Sequence, residues 1–430
     1  MGRARRLGET ALLGALVGVV CGAASALFLW GLDGVTRVRT SHEAIVYALP
    51  LAGLVLGAIY EKLGKPIEGG NNLVIDTLHD DGAEIPLRMA PMVLLGTWLT
   101  HLFGGSAGRE GTAVQMGASL ADFVAHRLKL TKSLRRLVLA AGIAGGFGSV
   151  FGTPVAGTIF ALEVVILGKL DTEALVPALV AAIVGDLTTR ALGVGHTHYP
   201  EPASVPLTPW LLAKWVVFAA AAALTSAVFI ELLHALKKHG KRLVPRLPAR
   251  MFLGGLAVVV LWKLVGTSDY LGLGVPTIVR AFSDPNLPVM TFALKLVFTA
   301  VTLGAGFVGG EVTPLFFVGA ALGSVLARAL GIPLELGAGV GLAAVFAASS
   351  NTPIALSIMA MELLGGHAFP HVFIVCALAY VMVGHRSIYT AQRLARGKGG
   401  TPLPRALPLR DLPADPSRRD APDDAAPRQE

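Results

Sequence analysis

The chain has 430 residues, of which 53% are hydrophobic and only 15% are charged. This composition excludes a soluble globular protein, because a fold of this length would leave many apolar side chains exposed to water. The formal net charge of +8 could indicate nucleic acid as a partner, but the basic residues gather in short segments between apolar runs. That distribution is typical of a membrane protein, and we expect no binding to nucleic acid.

A series of apolar runs predicts helices that cross, or nearly cross, a lipid bilayer, which takes about 20 helical residues. The runs cover residues 9–32, 44–60, 90–104, 137–168, 174–194, 208–233, 251–266, 289–308, 312–330, 335–349 and 353–384. Several runs are short or are interrupted by Gly and Pro, which indicates half-helices that meet inside the protein. The predicted fold class is an all-α polytopic membrane protein.

The basic segments and the two ends of the chain predict the topology. The first run is a retained helix and not a signal peptide, because no cleavage pattern is present and further spans follow. Arg3–Arg6, Lys237–Arg250 and Arg393–Lys398 place both termini and the central loop in the cytoplasm, whereas the side of Arg127–Arg136 stays open. Residues 397–430 are rich in Pro, Arg, Asp and Ala, which predicts a disordered cytoplasmic tail.

Two sequence motifs recur and indicate an internal duplication. GSAGREGT at Gly105–Thr112 and GFVGGEVT at Gly306–Thr313 share Gly at the first and fourth places, Glu at the sixth and Thr at the eighth. Downstream, Phe151–Val164 and Ser350–Leu363 each carry Thr-Pro, with the threonine ten residues before a glutamate. The predicted domains are a cytoplasmic N-terminus (1–8), a first transmembrane repeat (9–205), a second (206–396) and the tail, with the substrate site between the repeats.

Four glycine-rich segments precede predicted helix starts, and they surround Asn71, Glu110, Val312 with Thr313, and Tyr389. A helix start offers unpaired backbone N–H groups and the positive end of the helix dipole, which together favour an anion. The alternative is that these glycines only allow close packing of helices. Because two of the segments are copies of each other, we favour an anion site at which the helix starts converge.

The motifs at these positions resemble those of the CLC anion channels and transporters. GREGT at Gly108–Thr112 is similar to the family motif GREGP, GGEVTP at Gly309–Pro314 is similar to GxFxP, and Tyr389 stands where the family has a central tyrosine. The GGNN segment at Gly69–Asn72 corresponds in position to the family segment GSGIP. The resemblance covers about residues 10–395. It implies the CLC fold, with two inverted-topology repeats, broken half-helices meeting at the membrane midplane, and a homodimer with one pathway in each subunit.

The chain departs from chloride-carrying members at the predicted anion site. Asn71 replaces a serine, Thr112 replaces the proline and Val312 replaces a phenylalanine, and these forms resemble the fluoride/proton antiporter branch. Fluoride accepts hydrogen bonds more strongly than chloride, so its dehydration requires amide, hydroxyl or backbone N–H donors. The predicted anion-binding residues are Asn71, Asn72, Gly108, Gly111, Thr112, Val312, Thr313 and Tyr389. For Thr112, capping of its helix stays an alternative to contact with the ion.

Glu110 is a single carboxylate at membrane depth, where ionisable groups usually have a function. The resemblance implies gating and proton coupling, in which ionised Glu110 occupies the anion site and leaves it on protonation. The alternative is a helix-dipole partner at the protein surface. Groups that stay open between an ionic role and a structural hydrogen bond are Glu311, Glu163 and His101. No metal-ligand spacing is present, and the expected solvated loop groups are Asp80, Asp81, Glu84, His196 and His198.

The predicted function is fluoride export in exchange for protons, which gives fluoride resistance because hydrogen fluoride enters the cell neutral and dissociates inside. The expected partners are fluoride, or chloride, and protons, without a cofactor, in a bacterial inner membrane. The alternative is a chloride or other halide channel or exchanger, although Val164 stands where chloride exchangers carry an inner proton-transfer glutamate. A membrane-embedded hydrolase using Ser106 and His101 lacks a convincing nucleophile, base and orienting acid. We therefore expect a transporter or channel and not an enzyme.

Overall fold

The computed structural model describes residues 2–79, 84–398 and 402–412, and these residues are mostly helical. The first half of the chain forms α1 (Gly2–Ser41), α2 (Leu49–Leu63), α3 (Asn71–His79), α4 (Met89–Leu102), α5 (Glu110–Arg127), α6 (Lys132–Phe151), α7 (Pro154–Glu163), strand β1 (Ile166–Leu167) and α8 (Leu175–Ala191). Within the described part, seven helical segments are long and apolar enough to cross a membrane. This confirms the predicted polytopic helical class.

The second half repeats the order of the first. It forms α9 (Pro209–Leu243), α10 (Leu247–Val265), α11 (Val275–Arg280), α12 (Thr291–Ala305), α13 (Val312–Leu330), α14 (Leu334–Ser350), α15 (Pro353–Leu364), α16 (Phe369–Met382), and strands β2 (Arg393–Arg396) and β3 (Pro402–Pro408). Each half therefore begins with a long helix and has a short helix in third place. Residues 2–8 of the predicted N-terminal segment belong to α1, and the predicted repeat boundary falls between α8 and α9.

Two of the predicted apolar runs are each divided into two helices at a glycine with positive φ. In the run 137–168, α6 ends at Phe151, and Gly152 takes the left-handed conformation that closes a helix. Pro154 then opens α7, because a proline at the first helical position loses no hydrogen bond. In the run 353–384, α15 and α16 are separated at Gly365, whose φ of +79° interrupts the helix. The first break lies between the buried residues Phe151 and Thr153, whereas the second leads through the exposed residues Gly366 and His367.

Reciprocal hydrogen bonds between α7 and α15 show that the two repeats are inverted. The Glu163 carboxylate at the end of α7 accepts from the N–H groups of Ile354 and Ala355 at 3.1 and 2.8 Å. The Glu362 carboxylate of α15 accepts from the first N–H groups of α7, at Val155 and Ala156, at 3.0 and 2.8 Å. Each glutamate thus caps the start of the other helix, so the two duplicated helices are antiparallel. The predicted inverted-topology repeats are confirmed.

Glycines bring the backbones of neighbouring helices into contact at matching places in the two repeats. A Cβ added at Gly117 in α5 would meet the carbonyl oxygen of Gly142 in α6. A Cβ added at Gly319 in α13 would likewise meet the carbonyl oxygen of Gly341 in α14. Such small-residue contacts are the usual way in which helices pack closely in a membrane. They hold α5 and α13, whose first residues form the candidate site, against the rest of each repeat.

The end of the chain differs from the prediction. Residues 402–412 are ordered, so the expected disorder from residue 397 is wrong for this segment. Strand β3 pairs antiparallel with β2, and β2 pairs parallel with β1, which makes a three-stranded sheet. Composition could not reveal the strand because its partners are short segments elsewhere in the chain. Residues 413–430 lie outside the described residues, as do Asp80 and Asp81.

Candidate functional site

Glu110 is the first residue of α5, and its side chain is fully buried. Its Oε1 lies 2.5 Å from the hydroxyl of Thr313, and its Oε2 accepts from the Thr313 N–H at 3.1 Å. The N–H of Arg109 donates to Oε2 at 3.1 Å, and Nε of Arg109 lies 3.3 Å from Oε1. The carboxylate therefore lies over the start of α13, where N–H groups and the helix dipole favour negative charge. Burial excludes the alternative of a helix-dipole partner at the surface.

The duplicated segments before α5 and α13 face each other and hold the two helix starts together. Gly108 donates its N–H to the carbonyl of Gly310 at 2.6 Å, and Gly310 donates to the carbonyl of Gly108 at 2.9 Å. Val312 and Thr313, the first two residues of α13, are both buried. This antiparallel bridge brings Glu110 of one repeat to the first turn of the other repeat. The convergence predicted from the duplication is thus present for these two segments.

Asn71 begins α3 and lies against the first turn of α5. A Cβ added at Gly111 would lie 3.0 Å from Asn71 Nδ2 and 3.7 Å from Glu311 Oε2, so only glycine allows this approach without displacement. Asn71 Oδ1 and Glu311 Oε2 are both buried and have no hydrogen-bond partner among the described residues. Buried polar atoms without partners cost free energy. These two atoms beside Gly111 therefore indicate a site that a small polar species can occupy.

A small cavity of about 10 Å³ lies between Asn71 and Tyr389. A space of this size holds about one water-sized species. Its polar groups come from Asn71 and Tyr389, and its apolar walls are Val74, Ile75, Val114, Ile143, Phe160 and Val164. The cavity can therefore take a single water-sized species between Asn71 and Tyr389, within a wall that is otherwise apolar.

Tyr389 does not lie at a helix start, which corrects the prediction for the fourth glycine-rich segment. Helix α16 ends at Met382, and Tyr389 belongs to the connection to β2. Its N–H donates to the Ser387 hydroxyl at 3.0 Å. Buried Gln392 closes this connection, because its amide donates to Val164 and Ser350 carbonyls at 2.9 and 2.8 Å. The position of Tyr389 is therefore set by hydrogen bonds of the Ser387 and Gln392 side chains and not by a helix.

Three predicted anion ligands have their polar groups bound to other residues. The Asn72 Oδ1 accepts from the Ala391 N–H at 3.0 Å and so ties α3 to the Tyr389 connection. The Gly108 N–H donates to the Gly310 carbonyl. The Thr112 hydroxyl lies 2.7 Å from the Thr97 hydroxyl of α4, so Thr112 does not cap its helix. These residues support the site, whereas Glu110, Val312, Thr313, Asn71, Gly111 and Tyr389 surround it.

Two basic residues, one beside Glu110 and one behind the segment that leads to it, were missed in the sequence. Arg109 lies beside the Glu110 carboxylate, and only its place next to Glu110 could have indicated this. Lys295 of α12 is fully buried, and its Nζ donates to the carbonyls of Tyr270 and Gly272 at 3.1 and 2.7 Å. Gly272 in turn donates its N–H to the Gly105 carbonyl at 3.1 Å, in the segment that leads to Glu110. The single lysine within an apolar run was the available signal for Lys295.

The remaining candidates take structural positions. Both ring nitrogens of buried His101 contact backbone carbonyls, Thr97 at 2.8 Å and Ala107 at 3.0 Å, which favours a packing role. The Ser106 hydroxyl lies 2.9 Å from the Thr299 hydroxyl, so Ser106 and His101 do not form a nucleophile and base pair. His196 was expected to be solvated, but its Nε2 lies 2.9 Å from Asp186 Oδ1 in a largely buried pair. Glu84 and His198 are exposed as expected.

The inverted repeats and the buried anion-type site define an ion transport protein of the membrane. The chain belongs to the family described as voltage gated chloride channel, whose family model matches residues 52–384. It is 47% identical to the chloride/fluoride channel protein of Pseudomonas syringae pv. tomato, over 93% of this chain and 90% of that protein. It is 31% identical to the putative chloride channel protein ClcB-like of Ralstonia nicotianae, over 82% and 86% of the two chains.

Solved structures share the fold over most of its length. The crystal structure of a CLC-type fluoride/proton antiporter matches with a TM-score of 0.88 and 38% identity, covering 90% of this chain and 98% of that one. A slow cyanobacterial Cl⁻/H⁺ antiporter matches with a TM-score of 0.77 and 18% identity, over 87% and 94% of the two chains, which shows the fold alone. The predicted CLC resemblance is confirmed, and the protein is a channel or transporter and not an enzyme.

Proposed function

We propose that this protein exports fluoride across the cell membrane in exchange for protons. The observation that carries the proposal is the Glu110 carboxylate bound to the hydroxyl and N–H of Thr313 at 2.5 and 3.1 Å. A carboxylate held by these donors stands in for an anion at the start of α13. The similarity to a chloride/fluoride channel protein and to a CLC-type fluoride/proton antiporter supports fluoride as the anion.

Competition for the same donors couples fluoride to protons. While Glu110 is ionised, it fills the Thr313 donors, and fluoride cannot bind there. A proton removes the charge of the carboxylate and weakens both hydrogen bonds, because charge-assisted bonds are about twice as strong as neutral ones. Fluoride then takes the Thr313 donors, and the protonated side chain leaves. Release of the proton lets the carboxylate return and expel the ion.

The preference for fluoride over chloride follows from the donors and the available space. The cavity between Asn71 and Tyr389 has a volume of about 10 Å³, which suits the smaller ion. Fluoride is also the stronger hydrogen-bond acceptor, so an amide N–H and a phenol O–H repay its dehydration better than that of chloride. The anion ligands are therefore Asn71, Val312, Thr313 and Tyr389. Gly111 allows their approach, and Asn72, Gly108 and Thr112 hold the segments that carry them.

A homodimer in a bacterial inner membrane, with both termini in the cytoplasm, completes the proposal. Basic residues near the ends of the spans support this orientation, because loops on the cytoplasmic side of a membrane are enriched in Lys and Arg. Large apolar side chains are exposed on α1, α9 and α10, which suits contact with lipid or with a second copy. Each subunit would hold its own Glu110 and its own pathway.

Anion efflux from proteoliposomes tests the choice of ion. Purified protein is reconstituted, and efflux is followed with fluoride-selective and chloride-selective electrodes under equal gradients, with protein-free vesicles as the control. The proposal predicts faster efflux of fluoride than of chloride. Chloride efflux equal to or faster than fluoride efflux would instead support the alternative of a chloride or other halide carrier.

A further inference from the structure

The C-terminal residues 402–412 form a strap across the segments that carry Asn71 and Tyr389. We call this segment the C-terminal strap. Its strand β3 pairs with β2, with Arg393 opposite Pro408 and Leu394 opposite Leu407. Strand β2 follows the Tyr389 connection directly and pairs with β1, which follows α7. The strap is therefore built into the same sheet as the end of the Tyr389 connection.

Beyond β3, the strap bonds to the Tyr389 connection residue by residue. The Leu409 N–H donates to the Gln392 carbonyl at 2.8 Å, and the Arg410 N–H donates to the Thr390 carbonyl at 3.0 Å. Thr390 is the neighbour of Tyr389 in the sequence. The Arg410 backbone thus binds the residue next to Tyr389, whose side chain lines the cavity.

The side chain of Arg410 binds the helix that carries Asn71. Its Nη1 and Nη2 each lie 2.9 Å from one oxygen of Asp76, in the bidentate geometry that fixes both planes. Asp76 is five residues after Asn71 on α3. The hydrogen bonds to Asp76 raise the pKa of the Arg410 guanidinium above its ordinary value. Arg410 therefore holds α3 through its side chain and the Tyr389 connection through its backbone.

We infer that Arg410 is a positioning residue for the anion site: it fixes the spacing between Asn71 and Tyr389, and with it the preference for fluoride over the larger chloride ion. The inference rests on the proposed function, because it takes Asn71 and Tyr389 as ligands of the transported anion. The Asn72 bond to Ala391 ties the same two segments close to the cavity, and the Arg410 bond to Asp76 ties them farther along α3. Removal of the second tie lets α3 pivot about the first.

The test is the ratio of fluoride to chloride efflux in proteoliposomes for Arg410→Ala and Arg410→Lys. Lysine keeps the charge but cannot make two parallel N–H bonds to one carboxylate. Both variants are expected to lower the ratio by about three- to fivefold, the size expected for losing one well-ordered exposed ion pair. The charge-reversed pair Asp76→Arg with Arg410→Asp is expected to restore part of the ratio.

The control is Arg136→Ala, which removes a half-exposed arginine paired with two carboxylates, Glu173 at 2.8 Å and Asp171 at 3.4 Å. Its efflux ratio is expected to equal that of the wild type. An unchanged ratio in both Arg410 variants, or an equal loss of fluoride and chloride efflux at constant ratio, would overturn the inference alone. If Arg410→Ala fails to fold, Arg410→Lys decides. A wild-type protein that carried no fluoride would refute the proposed function itself, so the two failures are distinguishable.

Discussion

In the proposed exchange, Thr313 binds two negatively charged groups in turn, first the Glu110 carboxylate and then fluoride. Its hydroxyl and its N–H both contact the Glu110 carboxylate, and the proposed exchange hands the same donors to fluoride. A hydrogen bond to a charged partner contributes more free energy than one to a neutral partner. We therefore expect Thr313 to contribute more to fluoride binding than buried hydroxyls that bind neutral groups. In this proposal, Thr313 therefore affects both the coupling of fluoride to protons and the affinity for fluoride.

Thr313→Val tests the contribution of the Thr313 hydroxyl to fluoride binding. The change keeps the shape of the side chain and removes only the hydroxyl, so we expect the fluoride affinity to fall by about tenfold or more, since hydrogen bonds to charged groups contribute about 1.5–3 kcal/mol. Titration calorimetry of fluoride binding to purified protein measures the loss. The control is Thr158→Val, because the buried Thr158 hydroxyl donates to the Pro154 carbonyl of its own helix at 2.8 Å. Equal affinities in the two variants would remove Thr313 from the site.

At the scale of elements, paired helices from the two repeats support the site. Glu163 and Glu362 each cap the helix that carries the other, and both oxygens of each carboxylate are bonded. This arrangement answers the question that the sequence left open for Glu163. Because Glu163 binds backbone N–H groups in the same way as Glu362 in the other repeat, we expect Glu163 to act as a helix cap.

Glu163→Gln and Glu362→Gln serve as controls for each other. The amide can accept only one of the two backbone N–H bonds, so each variant should lose about 1.5–3 kcal/mol of stability, the usual contribution of one hydrogen bond to a charged group. Thermal unfolding in detergent measures this loss, and fluoride-driven proton movement should persist in both. Loss of proton movement in the Glu163 variant alone would assign that residue to the proton path.

Gly319→Ala tests the close contact of α13 with α14. The added Cβ would meet the Gly341 carbonyl oxygen, so the helices must separate, and overpacking of this kind costs about 1–3 kcal/mol. The matched control is Gly34→Ala in α1, where nothing lies within 4 Å of the added Cβ. We expect a lower unfolding temperature for the first variant and an unchanged or higher one for the second. The reverse order would contradict the described packing.

The sequence predicted the elements that depend on local pattern. Apolar runs predicted the helices, and the copied motifs around Glu110 and Thr313 predicted the helix starts that converge. The position of Tyr389 could not be predicted in this way, because hydrogen bonds to distant residues hold it and no helix begins there. The roles of Asn72 and Thr112 were also hidden, since their partners, Ala391 and Thr97, are set by tertiary packing.

At the scale of the whole molecule, duplication explains why a buried carboxylate and its donors meet at all. One repeat supplies Glu110 and the other supplies Thr313, and the bridge between Gly108 and Gly310 holds the two segments in register. Inversion turns the two helix starts toward each other, so that neither repeat alone can form the site. The strap adds the second tie between α3 and the Tyr389 connection, beside the Asn72 bond to Ala391.

Proton movement driven by a fluoride gradient tests the central claim most directly. Proteoliposomes loaded with fluoride are diluted into fluoride-free buffer, and proton uptake into the vesicles is followed with a pH electrode. We predict that wild-type protein takes up protons as fluoride leaves, and that Glu110→Gln abolishes this uptake. The control Glu335→Gln, at an exposed glutamate in the first turn of α14, should keep it. Fluoride efflux without proton uptake in the wild type, or proton uptake that survives in Glu110→Gln, would contradict the proposed exchange.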